Sequence, residues 1–599
     1  MGPLRRHLAT LTLGLCLIHA AAAATPSQQL ADLANRAYVA QARFDPVLAT
    51  WKGDSRFNDQ LNLTLAPPER ARYRAELRGF LKELAALPPA RLPPADRLNR
   101  ELLEHSLRGQ LALAPFPSHL LPLDQMASMP LLLAMMASGQ VEQQPLRTAA
   151  DFDAFLKRLA VLPRWCDQAI ANLREGVSRG IVQSPAVMRA TVPQLARMAD
   201  ADLDKNPFGA TLRRLAPGAT PGLGAEDAAR LAEAYRRELS ERVVPALQRL
   251  QAYVEADYLP AVARRSGDGL GSLPGGQAWY RQLVRDQTGT RLTPDEVHRL
   301  GLQEVARIQG EIVKLAPQLG FAGDPLKDGG LLAWLDAQPQ QRPFKTDAEV
   351  LAAFRAINAR IEPQLPRLFG RLPKAPLEIR EEPELTRATA SPHYTIAQGE
   401  GGARGVFWAV IPDPTRVSTP GMTSMLLHEG QPGHHFQVAL QYEMQLPDFR
   451  RYARNTAYGE GWGLYAETLG HELGLYNDPV AYAGALQLEI FRAVRLVVDS
   501  GLHAKGWSRA QAIDYLRNAT GFTEAMAANQ IDRYLAFPGQ ALSYKVGSLK
   551  IQALRQRAQA RLGAKFSLAA FHDQVLGEGM MPLDVLERRI DAWIAAGGR

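Results

Sequence analysis

The sequence predicts a mainly α-helical protein, large enough to form two lobes around a deep cleft or channel, with one small β element near residues 405–412. Three observations carry this expectation. At 599 residues the chain is well beyond the roughly 250–300 residues at which a single hydrophobic core stops growing, so interior surface is available for a cleft. Long stretches repeat apolar residues three and four apart, the period of a helix with one buried face. Only GVFWAVIP, at 405–412, is dense in β-branched and aromatic residues, and Pro412-Asp413-Pro414 closes it.

The elements follow in chain order. Residues 1–24 run from Arg5 and Arg6 through a short apolar stretch to small residues at Ala22–Ala24, the layout of a secretory signal that is removed. Leu15, rather than a small residue, precedes Cys16, which argues against a lipid-anchored cysteine there. Without the signal only Cys166 remains, so neither an internal disulfide nor a cysteine-rich metal cluster is expected. The formal charge of +8 loses two arginines and no acid, leaving 8 − 2 = +6. Positive residues lie scattered among acids with no basic block interleaved with aromatics, so nucleic acid is not an expected partner. No later run is long and apolar enough to cross a bilayer, and stable membrane insertion is not expected.

EDAARLAEAYRRELSERVVPALQRLQAYVEADYL at 226–259 has the helical period. Thr293-Pro294-Asp295-Glu296 is a capping box with proline in the first turn, and a helix follows over 297–316. Proline and glycine mark loops at 86–97, 205–224, 264–277 and 320–343. The chain divides into an N-terminal helical lobe over 25–340 and a lobe over 341–599 that carries the chemistry. The run Arg380-Glu381-Glu382-Pro383-Glu384 reads as a solvated loop, and Cys166 as packing.

The chemistry centres on HEGQPGHH at 428–435. A hydrolytic zinc site takes three ligands from His, Asp or Glu and keeps one position for water. The usual helical arrangement places two histidines four apart with a glutamate beside the first. Here the second histidine lies six (His434) or seven (His435) residues after His428. On a regular helix seven residues rise roughly 10.5 Å, and six turn the side chain about 120° away, so neither could share an ion. Pro432, four residues after His428, would clash with that carbonyl and offers it no N–H. Gly430 and Gly433 accept the angles of a bulge, so a helical metal motif with the insertion looped out is expected. Downstream, AYGEGWGLYAETLGHELG at 457–474 is a second helical pattern, with Glu460 and Glu467 on one face and glycines at 459, 461 and 463. Close approach of that helix to the motif would let Glu460 complete the ligand set and Glu467 orient a histidine.

HEGQPGHHFQ, GEGWGLYAE and IDRYLAFPGQALSYKVG together resemble the bacterial family designated domain of unknown function 885, itself similar to the helical His-Glu-x-x-His zinc peptidases. The similarity is strongest from Tyr394 onward, with LPGGQAWYRQLV and LTPDEVHRLGLQEV before it. The resemblance implies a zincin-like metallopeptidase fold, one zinc ion per chain and short peptides as substrates. Glu460-Gly461-Trp462 resembles the Asn-Glu-Gly-Phe segment that supplies a glutamate ligand, which favours Glu460 over Glu467. Gly433-His434 resembles the Gly-His that ends related motifs, which favours His434 over His435.

On that reading His428, His434 and Glu460 hold zinc and Glu429 is the general base. Tyr544 would donate to the oxyanion, with Tyr534 and Tyr394 as alternatives, and all three tyrosines would line the substrate site. Arg533 would either form an ion pair with Asp532 or another acid or bind a terminal carboxylate. GVFWAVIP would be either an edge strand for an extended peptide or a buried hairpin arm. The competing functions are a metal-dependent amidase on non-peptide substrates and a non-catalytic peptide- or metal-binding protein. A periplasmic or secreted location follows from the leader; the sequence does not indicate the oligomeric state.

Overall fold

A computed structural model describes residues 24–139, 141, 143–382, 387, 391–399 and 402–598. The leader up to residue 23, with Cys16, and Pro383-Glu384 lie outside the described residues. Among the described residues the chain is mainly helical with one three-stranded sheet. No described helix is long and apolar enough to cross a membrane.

Local chemistry sets the helix ends where the sequence places them. Thr293 Oγ1 accepts from Glu296 N at 3.2 Å, the Glu296 carboxylate accepts from Thr293 N at 2.8 Å, and the helix spans Pro294–Leu315. The run over 226–259 is helical too, but two π turns, Leu239–Val243 and Val254–Tyr258, interrupt it. Each sits just before a proline, Pro245 or Pro260. A π turn widens the backbone where the proline ring would meet the carbonyl four residues earlier and where its missing N–H leaves a bond unmade. Within the glycine- and proline-rich stretch at 205–224 the chain still folds a short helix, Ala210–Arg214.

The sheet differs from the sequence reading in extent and order. GVFWAVIP belongs to strand β3, Gly402–Ala409, paired antiparallel with β2 (His393–Gly399) and parallel with β1 (Leu377–Glu381). β3 is the middle strand, so it is the hairpin arm and its backbone is not available to a peptide. Arg380 and Glu381, read as part of a solvated loop, are exposed residues of β1 instead. The pairing that orders them comes from Trp408 and Ala409, distant in the chain.

Side chains of 47–262 form one core, and Cys166 is buried within it. A second core joins Val305–Leu335 side chains to those of Ala483–Ala541, so the segments on either side of residue 340 share an interior. A third gathers Phe354, Phe407, Phe436, Tyr458, Trp462 and Trp593 around the segment that carries the histidines.

Candidate metal centre

The helix Met422–Glu429 ends at the glutamate of the motif, and a new helix, His434–Glu443, begins at its second histidine. The expected bulge within one helix is therefore a complete break over Gly430–Gly433, with a cis peptide bond between Gln431 and Pro432. Pro432 cannot donate to the His428 carbonyl. A side chain at Gly433 would place its Cβ 1.9 Å from that same oxygen, so the turn closes only with glycine. Trp462 Nε1 donates to the carbonyls of Pro432 at 2.9 Å and Gly433 at 3.2 Å; the Gly433 oxygen also accepts from Gln437 N at 3.2 Å, so the indole chiefly satisfies the Pro432 carbonyl.

The helix Thr456–Thr468 crosses beside this break. Its glycines admit neighbours as expected, though not all the same one. A Cβ on Gly463 would meet the His428 ring at 2.8 Å, whereas Gly461 lies against Gly547 of the helix Ser543–Leu562. Glu460 and Glu467 face the motif from one side. Glu460 Oε2 lies 3.6 Å from His428 Nε2 and 3.5 Å from His434 Nε2, and one donor atom from each of the three residues falls within 4.8 Å of the others. With metal–donor bonds of roughly 2.0–2.2 Å, tetrahedral donors stand about 3.4 Å apart. The donor set and its spacing fit a zinc ion.

Each group is prepared electrostatically. His428 Nδ1 meets Glu467 Oε1 at 2.8 Å, which fixes the ring and leaves Nε2 for a ligand. Glu467 is itself held by Ser424 Oγ at 2.8 Å and lies 3.5 Å from an Arg492 Nη2. Burial opposes a charge on His428, but the Glu460 and Glu467 carboxylates outweigh it and lift its pKa to about 9. The field that favours a proton at Nε2 equally favours a cation. Burial likewise opposes ionisation of Glu460, and the two imidazoles outweigh it, holding the carboxyl well below its usual range.

His435 points elsewhere. Its Nδ1 meets the Tyr394 hydroxyl at 3.2 Å, and burial lowers its pKa to about 4. The hydroxyl of Tyr394 is thereby engaged with His435. Glu429 is half-buried, with no hydrogen bond or ion pair among the described residues, while its charge reaches His428. Tyr544 stacks beside His428 with ring centroids 6.4 Å apart, and its hydroxyl has no hydrogen-bond partner among the described residues. Tyr534 is buried, accepting from Arg495 Nε at 3.0 Å and donating to Gln530 Oε1 at 3.2 Å. Arg533 does not pair with Asp532, which is taken by Arg509 at 2.6 and 2.9 Å; Arg533 donates to Gln540 Oε1 at 3.3 Å.

Sequence reasoning missed Arg492 and Arg495, which come from the long helix Pro479–Ala504. The signal was present in FRAVRL at 491–496, two arginines three apart in an otherwise apolar stretch. Such residues usually reach solvent past apolar neighbours, and here Arg495 does not.

A family model described as "Bacterial protein of unknown function (DUF885)" matches residues 46–590. The fold is similar to that of a "putative lipoprotein" from Colwellia psychrerythraea, with 29% identity, a TM-score of 0.84, and coverage of 96% of this chain and 100% of that one. A "putative lipoprotein of unknown function" from Shewanella oneidensis shares the fold at 17% identity and a TM-score of 0.74, covering 94% of this chain and 99% of that one. No curated protein matches the chain.

Proposed function

The chain belongs to the bacterial family of unknown function DUF885, and on that premise we propose that it is a zinc-dependent hydrolase of short peptides, acting outside the cytoplasm. The observation that supports the reading is the convergence of His428, His434 and Glu460 within 4.8 Å, beside a glutamate with no partner of its own among the described residues. Two imidazoles and one carboxylate, with a second carboxylate on the distal nitrogen of a histidine, are the ligand types of hydrolytic zinc.

A zinc ion held by these three residues supplies Lewis acidity to a substrate carbonyl and to a water molecule. The remaining roles belong to the chain. Glu429 takes the proton from the attacking water and returns it to the leaving amine. Glu467 keeps the His428 ring oriented and its Nε2 free of the proton carried at Nδ1. Tyr544, stacked beside His428 and with no hydrogen-bond partner for its hydroxyl among the described residues, donates that hydroxyl to the carbonyl oxygen as negative charge develops there. The basic and apolar leader at 1–24 and the lipoprotein description of the two structural neighbours support a periplasmic or secreted location.

The test is hydrolysis of a library of short peptides by the zinc-supplemented protein and by Glu429→Gln. The native protein should cleave, and the variant should be slower by about 10²–10⁴-fold at equal zinc content. Equal rates would remove Glu429 from the mechanism. No cleavage by the native protein would favour a peptide-binding role.

A further inference from the structure

Three cations from neighbouring helices are buried or half-buried behind the candidate metal centre, and they are not treated alike. Lys545, 1% exposed, meets Glu489 at 2.7 Å and Glu304 at 2.9 Å. Arg492 faces Glu467 at 3.5 Å. Arg495 has no ion pair among the described residues, although its side chain is only 5% exposed. Its Nε donates to the Tyr534 hydroxyl at 3.0 Å, while Nη1 is fully buried without a partner. Asp499, one turn further along the same helix, is turned away to the Tyr280 hydroxyl and the Gly539 N–H.

The surroundings hold the guanidinium in place without an ion pair among the described residues, although the charge of Glu460 reaches it. The Phe491 and Tyr544 rings lie 4.2 and 4.4 Å from its central carbon, and Tyr544 is the ring that also stacks beside His428. Arg495 thus stands one tyrosine ring away from His428 of the candidate metal centre. A buried cation with open N–H groups costs free energy unless an anion completes it, and a guanidinium matches a carboxylate with two parallel hydrogen bonds.

We propose that Arg495 anchors the C-terminal carboxylate of the substrate, so that the site takes short peptides by their free C-terminus and releases one or two residues from that end. The assignment moves to Arg495 the role that the sequence suggested for Arg533: both keep one buried nitrogen without a hydrogen-bond partner among the described residues, but it is Arg495 whose guanidinium lies on the Tyr544 ring beside His428. Arg495 Cζ lies 4.4 Å from the centre of the Tyr544 ring, which stands 6.4 Å from the centre of the His428 ring, so the guanidinium and His428 lie within the reach of a few residues of extended chain at about 3.3–3.6 Å each. The direction of cleavage rests on the hydrolase reading; the carboxylate site itself does not.

The experiment uses the full-length Glu429→Gln protein, so that ligands persist. It is incubated with an N-acetylated short-peptide library as free acids, and separately with the same library as C-terminal amides, and retained peptide is measured by mass spectrometry. Acids should be retained at least about tenfold over amides, and the added substitution Arg495→Met should erase the preference. Equal retention of acids and amides, retention of neither, or a preference that survives in a folded Arg495→Met protein would overturn the proposal. The acid–amide comparison needs no change at 495, so a misfolded variant leaves it intact. Assaying the same free acids with the native, zinc-supplemented protein separates the two readings: acid-selective retention by Glu429→Gln with no cleavage by the native protein would retain the anchor and remove the hydrolase.

Discussion

Arg158 and Arg495 are both buried cations with no carboxylate in ion-pair range among the described residues, and the chain handles them in opposite ways. Arg158, in the N-terminal core, is fully buried and saturated. It donates to the carbonyls of Gln60 at 2.9 Å and Phe57 at 2.6 Å, to Thr50 Oγ1 at 2.9 Å and to Gln144 Oε1 at 2.7 Å. Burial lowers its pKa to about 10, yet it remains a cation at neutral pH. Arg495 has one such partner and one buried nitrogen with none. A cation that serves the fold is finished by the fold, whereas one left incomplete beside a cluster of ligand-type residues is finished by something that arrives.

The comparison breaks most visibly at Arg158. Arg158→Met removes the donor from three buried acceptors and from the part-buried Gln60 carbonyl, at a cost on the order of 4 kcal/mol. A fall of several degrees in thermal midpoint is expected, with metal content per folded chain unchanged, as read by calorimetry and elemental analysis. A variant as stable as the parent would mean that saturation does not mark a structural role. Tyr544→Phe should behave in the reverse manner. Its hydroxyl has no hydrogen-bond partner among the described residues, so the midpoint should hold while kcat on a cleaved peptide falls about 10²-fold. The smallest effect is expected from Arg495→Met on stability. Loss of the bond to Tyr534 is offset by loss of an uncompensated buried charge, so the midpoint should stay within the equivalent of about 1 kcal/mol of the parent or rise. A large drop would place Arg495 with Arg158 as a structural residue.

What the sequence made legible follows from how local each feature is. The capping box at Thr293 and Glu296 closes within four residues and was readable as written. The helical character of 226–259 was readable from its period, but its π turns were not, because they answer the packing of Pro245 and Pro260 inside a longer helix. β1 was missed because Arg380 and Glu381 are exposed on a strand whose order comes from β3. In the motif, Pro432 announced an interruption, yet the difference between a bulge and a full break depends on Trp462, thirty positions on, and on the His428 carbonyl that excludes a side chain at Gly433. Spacing alone left His434 and His435 equivalent; the restart of the helix at His434 separates them, turning one towards Glu460 and the other towards Tyr394. FRAVRL at 491–496 marks two arginines in an apolar helix, but a charge there carries no mark of whether its partner is present, so the role of Arg495 was not legible.

The central claim is that His428, His434 and Glu460 hold one metal ion. Elemental analysis of the protein purified without added metal, side by side with His428→Ala, tests it most directly. The account predicts one zinc per chain in the native protein and a near-complete loss in the variant. Equal metal in both, or none in a native protein that also fails to take up zinc at micromolar concentration, would contradict it.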